Sequence, residues 1–276
     1  MYFVIALINA VLTNRIRKIE KQVQEKEEKA KTVKLYNTLL NSLSHELKTP
    51  VAAIVGASDN LLEEPSRLTA ENRKELVSGI SVAALRLNQQ VENLLSMSRL
   101  ESGFIQPKKD WCDMNELIYD VINRLDQQLK NHQTVVSIEE GLPLYKLDYV
   151  LMEQVLYNLL YNAAVYTPAY GDIFINVSNL TDRIYQLDTA STEHSPLKKE
   201  TNCLSITIED RGPGFPPEEI EKVFDKFYRL SNTKTGGTGL GLSIVKGFVE
   251  AHNGTVVLEN VSHGARFTML IPAETS

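Results

Sequence analysis

Four short stretches of this 276-residue chain hold side chains whose types and spacing could do chemistry. In NSLSHELKTP, residues 41–50, His45 is followed at once by Glu46, Lys48, Thr49 and Pro50, and histidine is the side-chain type suited to act as nucleophile or proton carrier near neutral pH. A proline inside a helix removes a backbone donor and clashes with the preceding turn at a cost of about 3 kcal/mol, so keeping one beside a reactive ring points to use of the resulting bend. In LDYVLMEQVLYNLLYNAAVYTP, the side chains of Gln154, Asn158, Asn162 and Tyr166 recur every four residues and share one line of a helix. Taken alone, that line reads as a polar edge toward solvent. In IEDRGPGFP, Asp210 leaves the strand-like LSITIE into Gly212 and Gly214. A carboxylate there can accept from the exocyclic amine of a base such as adenine, and glycines admit a flat ring close to the backbone; an ordinary turn reads the same way. In GGTGLGLSIV, Gly237, Thr238, Gly239, Leu240 and Gly241 lead into an amphipathic helix, whose first amides can hold phosphate.

The elements that must position these groups are legible in outline. Leu35, Leu39, Leu43, Leu47, Ile54, Leu61 and Leu62 recur at helical spacing, and after a break at Glu64-Pro65-Ser66 so do Leu76, Ile80, Ala84, Leu87, Val91 and Leu94. Two amphipathic helices in a hairpin leave half of their apolar stripe wet, and pairing two hairpins into a four-helix bundle covers it, so a homodimer is expected. From about residue 105 strand-like and helical patterns alternate, as in an α/β domain. Asp148 is placed to cap a helix over 149–165 whose core side is Leu151, Val155, Leu159 and Ala163. FDKFYRL, 224–230, puts Phe224 and Phe227 against a lid at 231–235 and Arg229 within reach of phosphate, while the polar segment 179–202 reads as a flexible insertion between two strands. His252 reads as a helix end, and no chemistry is assigned to His132, His194 or His263.

The remaining composition narrows the function class. A net charge of −6 gives no basic footprint for nucleic acid. Two distant cysteines, Cys112 and Cys203, support neither a disulfide framework nor a zinc site. Residues 1–13 are apolar but shorter than the roughly 20 needed to span a bilayer as a helix, and Arg15, Arg17, Lys18 and Lys21 follow them. That order is a stop-transfer arrangement, read here as the end of a membrane anchor, with a short buried or interfacial helix as the alternative. Residues 14–33, dense in Lys, Glu and Gln, read as a charged helical linker.

Ser44-His45-Glu46-Leu47-Lys48-Thr49-Pro50 resembles the phosphoacceptor box of the sensor histidine kinases of two-component systems, and NLLYNAAVYTP resembles their asparagine box. With the Asp210 and Gly237 stretches, four boxes stand in the family's order. The resemblance implies a helical-hairpin dimerisation and phosphotransfer domain, 34–104, followed by a GHKL-type α/β sandwich that binds ATP, 105–276. It implies that His45 attacks the γ-phosphate of ATP, that Glu46 accepts the proton, and that Thr49 positions the water that later dephosphorylates the partner. Asn162 would ligate Mg²⁺ with Asn158 beside it near the phosphates, and Tyr166 would flank the adenine. Val165 departs from the pattern, standing where the family usually has Lys or Arg.

The implied protein is a homodimer at the bacterial cytoplasmic membrane, with this part mostly in the cytoplasm and a response regulator receiver domain as partner. The stretches NTLLNSLSHELKTP, LPLYKLDYVLMEQVLYNLLYNAAVYTP and GGTGLGLSIVKGFVEAHNGTVVLEN resemble the Kdp-type potassium-responsive sensor kinases, which implies a member of that subfamily. An alternative within the same architecture is a nucleotide-gated scaffold or phosphatase with little kinase output. A GHKL chaperone or topoisomerase-like ATPase would account for the glycine boxes and not for the histidine helix.

Overall fold

A computed structural model of the chain describes residues 46–62, 68–103, 105–180, 202–230 and 238–276, together with Arg15, Arg17 and Ser44. The expected anchor, most of the linker, His45, nearly all of the 179–202 insertion, the lid at 231–235 and Gly237 lie outside the described residues. The chain divides into two compact units between Asn88 and Gln89.

In the first unit, helix α1 covers 46–62 and helix α2, Ala70–Glu101, begins. Thr69 caps α2 by accepting from the Asn72 amide at 3.2 Å. A salt bridge of 3.7 Å between Glu46 of α1 and Arg86 of α2 ties the pair. Pro50 is buried within an uninterrupted helical run. Of the expected stripe, Leu47, Ile54, Leu61, Leu76, Ile80 and Leu87 are half-buried, while Leu62, Val91 and Leu94 are exposed in the single chain; Val51 and Val55 of α1 and Val77, Val82 and Leu85 of α2, which lie outside that stripe, are exposed as well.

The second unit joins the last turns of α2 to an α/β sandwich. Helix α3, Met114–Arg124, is capped by Asp113, which accepts from the Asn115 amide at 2.7 Å. It buries Met114, Leu117, Ile118 and Val121, the spacing of one helical face. One turn, α4, Asp126–Leu129, follows. Helix α5, Tyr149–Tyr166, starts at the predicted cap, where Asp148 Oδ1 accepts from the Leu151 amide at 3.2 Å. Helix α6 is Gly241–Ala251, and α5 packs against both α3 and α6.

Strands β1, Asp110–Cys112, and β3, Tyr145–Leu147, pair with each other. The main sheet comprises β2, Gln133–Ile138; β4, Asp172–Leu180; β5, Cys203–Glu209; β6, Thr255–Val261; and β7, Gly264–Pro272. Its order is β2-β4-β5-β7-β6, with only β2 and β4 parallel. Asn179 and Leu180, expected to open the insertion, are instead the last residues of β4, paired with Leu204 and Cys203, so the insertion joins two antiparallel neighbours. Side chains alternate across a pleated sheet, so registered strands build rows. Ile175, Ile208, Phe267 and Leu258 form one apolar row across four strands, and Val177, Ile206, Met269 and Val256 form the next. On the opposite face Phe174, Glu209, Arg266 and Glu259 align. There Arg266 Nη2 meets Glu209 at 2.7 Å and the Arg211 guanidinium lies 4.9 Å from the Phe174 ring centre.

His252 does end α6, and it does more. Its ring is fully buried, Nε2 accepts from the Asp148 amide at 3.0 Å, and Nδ1 lies 2.8 Å from the Phe248 carbonyl. Both contacts are satisfied by the neutral tautomer carrying its proton on Nδ1. The imidazole thus fastens the end of α6 to the start of α5. Burial pushes its pKa below the ordinary histidine value, the Phe248 carbonyl opposes that shift, and Lys109 reinforces it while Asp148 opposes it. A base whose folded pKa is depressed binds fewer protons folded than unfolded, so its contribution is whole above about pH 6.5 and declines as pH falls below it. Wild-type protein should therefore lose more stability between pH 7.5 and 5.5, by urea denaturation, than His252→Leu, which should sit about 1–3 kcal/mol lower at pH 7.5.

Candidate functional site

The centre of the site is the end of β5. Asp210 is 7% exposed, and its Oδ1 accepts from the Gly212 amide at 2.7 Å and the Ala265 amide at 3.3 Å. Its own amide donates to the Ala265 carbonyl at 2.9 Å. Oδ2 accepts no hydrogen bond from the described residues. Burial raises the carboxyl pKa above the usual carboxylate range; the two amides work against this and the charge of Glu209 works with it. A fixed, desolvated carboxylate with one open oxygen suits an amine donor from a bound base.

Two glycines make this geometry possible. A Cβ on Gly212 would stand 2.8 Å from Asp210 Oδ1 and 3.1 Å from the Tyr166 carbonyl oxygen, so the end of α5 and the Asp210 turn meet through a bare backbone. Gly264, at φ +134°, lies where a Cβ would collide with the Asp210 carbonyl. Beyond the turn, Asn260 of β6 holds the Gly214 segment with both ends of its amide, accepting from the Phe215 amide at 2.8 Å and donating to the Phe215 carbonyl at 2.6 Å.

The amide line of α5 is not a solvent edge. Gln154 and Asn158 are buried, Asn162 is half-buried and Tyr166 is exposed. The solvent-edge reading fails because that face of α5 is covered by the start of α6 and by the last turns of α2. Asn158 Nδ2 donates to the Gly241 carbonyl at 3.4 Å and its Oδ1 accepts from Gln154 Nε2 at 3.4 Å; Gln154 Nε2 also donates to Asn93 Oδ1 at 3.1 Å. Helix α6 opens at Gly241 without a side-chain cap, so the amides of its first turn are left for another acceptor. Before it, Thr238 is buried and Leu240 fully so. Gly239, at φ +68°, accepts from the Phe227 amide at 3.0 Å, and a Cβ there would meet the Phe227 carbonyl carbon at 2.7 Å. Phe227 is half-buried, Arg229 is exposed, and Phe224 packs edge-on against Phe267 in the core.

The structure thus brings Asp210, Gly212 and Tyr166 together, joins Asn158 to Gly241, and joins Phe227 to Gly239. Glu46, half-buried against Arg86, and Thr49, exposed, belong to the other compact unit. Arg86, Asn93, Asn260 and the pair Gly264-Ala265 escaped sequence reasoning. The glycine of Ser262-His263-Gly264 carried a hairpin signal, whereas the three polar residues carried none. Among the described residues no three His, Cys, Asp or Glu side chains converge as a metal site, so a cation here would take amide oxygens and the oxygens of its own ligand.

Residues 36–103 match the family model of the His Kinase A (phospho-acceptor) domain. Residues 147–275 match that of the histidine kinase-, DNA gyrase B-, and HSP90-like ATPase. The chain belongs to the two-component sensor histidine kinases. It is similar to the sensor protein KdpD of Clostridium acetobutylicum, 31% identical over 279 residues covering 98% of this chain and 29% of that protein. It is also similar to the sensor protein kinase WalK of Staphylococcus aureus, 28% identical over 237 residues, 84% of this chain and 52% of that one. The chain therefore spans well under two thirds of these relatives. Acinetobacter baumannii histidine kinase AdeS shares the fold, with a TM-score of 0.56 at 22% identity over 84% of this chain and 98% of that one. The helical hairpin and the α/β sandwich thus follow in the order expected for this kinase.

Two substitutions grade the supports of the Asp210 turn. Asn260→Ala removes a paired contact at an exposed loop and should lower the urea unfolding free energy by about 1 kcal/mol. Gly264→Ala forces the backbone of a buried strand apart and should cost roughly 3 kcal/mol or more in the same measurement.

Proposed function

We propose that this chain is the kinase portion of a homodimeric, membrane-tethered sensor histidine kinase that phosphorylates His45 from Mg-ATP and passes the phosphoryl group to an aspartate of a response regulator. The observation that carries the reading is Asp210: a buried carboxylate, one oxygen held by two amides and the other open, lying beside the glycine turn that abuts the end of α5. In this reading the open oxygen accepts from the exocyclic amine of adenine, Gly212 and Gly214 admit the ring, and Tyr166 and Phe227 flank the nucleotide. The phosphates lie toward Gly237, Thr238, Gly239, Leu240 and the open amides at Gly241, with Arg229 contributing charge. Asn162, with Asn158 beside it, holds Mg²⁺, which neutralises charge developing on the β- and γ-phosphates.

An imidazole nitrogen of His45 forms a bond to the γ-phosphorus as the bond to the bridging oxygen of ADP breaks, and Glu46 takes the proton that the ring sheds. The phosphoryl group then moves to a carboxylate oxygen of the receiver aspartate, and the ring nitrogen regains its lone pair. Thr49 positions the water that later attacks the phosphorus of the partner's phosphoaspartate, releasing inorganic phosphate and the free carboxylate. Catalysis in such a transfer is mostly positioning and charge stabilisation. Val165 withholds one cation from the phosphates, which favours a weak grip on ATP.

The exposed apolar residues of α1 and α2 support the dimer, since a second hairpin would cover them. The apolar run 1–13 and its following basic residues support the membrane anchor; among the described residues no helix is long and apolar enough to cross a membrane. A Kdp-type assignment draws on the longer aligned span with KdpD, 279 residues against 237 with WalK.

Incubation with radiolabelled ATP tests the activity: acid-labile, alkali-stable label should appear on wild type and vanish in His45→Ala. ATP binding with no label would favour the scaffold or phosphatase reading. Asp210→Asn tests the adenine contact. Asn keeps an oxygen for the Gly212 and Ala265 amides but presents a donor to the base, so ATP affinity should fall at least tenfold, while removal of the buried charge should hold or raise the melting temperature of the nucleotide-free protein.

A further inference from the structure

The amide chain, buried at Gln154 and Asn158 and half-buried at Gln89 and Asn93, reaches further than the nucleotide site needs. Gln89 Nε2 donates to Asn93 Oδ1 at 3.2 Å, Gln154 Nε2 donates to the same oxygen at 3.1 Å and to Asn158 Oδ1 at 3.4 Å, and Asn158 Nδ2 donates to the Gly241 carbonyl at 3.4 Å. A carbonyl oxygen can accept two hydrogen bonds and an amide nitrogen can donate two. Asn93 Oδ1 is therefore full, and both hydrogens of Gln154 are engaged. The chain has one consistent direction. Turning Asn158 over would set its nitrogen against the Gln154 nitrogen and its oxygen against the Gly241 carbonyl, and a buried amide facing like groups loses its partners. Asn158 is thus held with its oxygen toward Gln154, keeping one lone pair for a further donor or cation.

We infer that Asn93, on α2, is a positioning residue for the nucleotide site, acting through Gln154 to fix the orientation of the Asn158 amide. The inference rests on the nucleotide reading above. Asn93 is itself held in place. Glu92 meets Arg124 at 3.2 Å, and Arg124 meets Glu153 of α5 at 3.0 Å with its guanidinium 4.6 Å from the Tyr157 ring centre. Met97 is buried in the core, Leu100 fills the space left by Gly247 of α6, and Glu101 meets Lys226 at 3.4 Å. These contacts set α2 beside α5 at the level of Gln154, so the Asn93 oxygen takes one Gln154 hydrogen and leaves the other for Asn158.

The test is the affinity of the full chain for Mg-ATP, by calorimetry, in three variants. Asn93→Leu removes the acceptor and should weaken Mg-ATP binding roughly three- to tenfold, because only part of the population then has Asn158 correctly turned. Asn93→Asp keeps an oxygen acceptor for both donors and should bind within about twofold of wild type, a rescue that a packing role would not produce. On a Gln154→Leu background, Asn93→Leu should add nothing. In nucleotide-free protein the side-chain amide resonances of Asn158 should shift in Asn93→Leu and stay in place in Asn93→Asp. Wild-type affinity in Asn93→Leu, or equal losses in the Leu and Asp variants, would overturn the inference while leaving the nucleotide reading intact. Failure of the wild-type chain to bind Mg-ATP would instead overturn the nucleotide reading, and this inference with it.

Discussion

One buried negative charge organises the α/β unit. Asp210 sits where water is mostly excluded, and removing a carboxylate from water is costly unless donors replace it. Two backbone amides engage one of its oxygens, and they come from different places: Gly212 from the turn that follows β5, and Ala265 from the start of β7. The contact therefore exists only if β5 and β7 are in their observed register and Gly264 lets the two backbones approach. The carboxyl pKa is nevertheless raised, so the protonated form is favoured on folding and the contribution is lost as pH rises through the folded pKa. The charged form is held at a cost to the fold, which a donor arriving at the open oxygen would offset.

The same tension runs through α5. A helix buried along Val155, Leu159 and Ala163 and again along Gln154 and Asn158 has little surface to give to water. Its apolar side is satisfied by the rows of the sheet and by α3 and α6. Its amide side needs partners, because a buried amide without hydrogen bonds is costly. Those partners are the Gly241 carbonyl and Asn93. Packing and polar satisfaction thus both require α5, the start of α6 and the last turns of α2 to meet in one arrangement. His252 adds a further tie, joining the end of α6 to the first residue before α5 through a neutral ring.

The helical unit shows the complementary situation, with apolar side chains left outside. Val51, Val55, Val82 and Leu85 are spaced as a face rather than scattered, and a face of that kind calls for a partner. Within the unit, Glu46, which follows the proposed phosphoacceptor in sequence, is paired with Arg86 of α2.

Local chemistry decided what could be read without coordinates. Apolar periodicity, the Asp148 cap, the Glu64-Pro65-Ser66 break and the glycine stretches are properties of neighbours in sequence, set by backbone sterics and side-chain spacing, and they placed the hairpin, α5, the Asp210 turn and the start of α6. The four boxes placed the family. What was not legible depends on distance along the chain. That Asp210 shares its oxygen with Ala265, that Asn260 clamps Phe215, that His252 caps the approach to α5, and that Asn93 reaches Gln154 each join residues 45 to 104 positions apart. The amide line of α5 shows why. Its periodicity is the same whether that face meets water or another helix, so only tertiary packing, by choosing which surfaces to bury, turned a polar stripe into a hydrogen-bonded site.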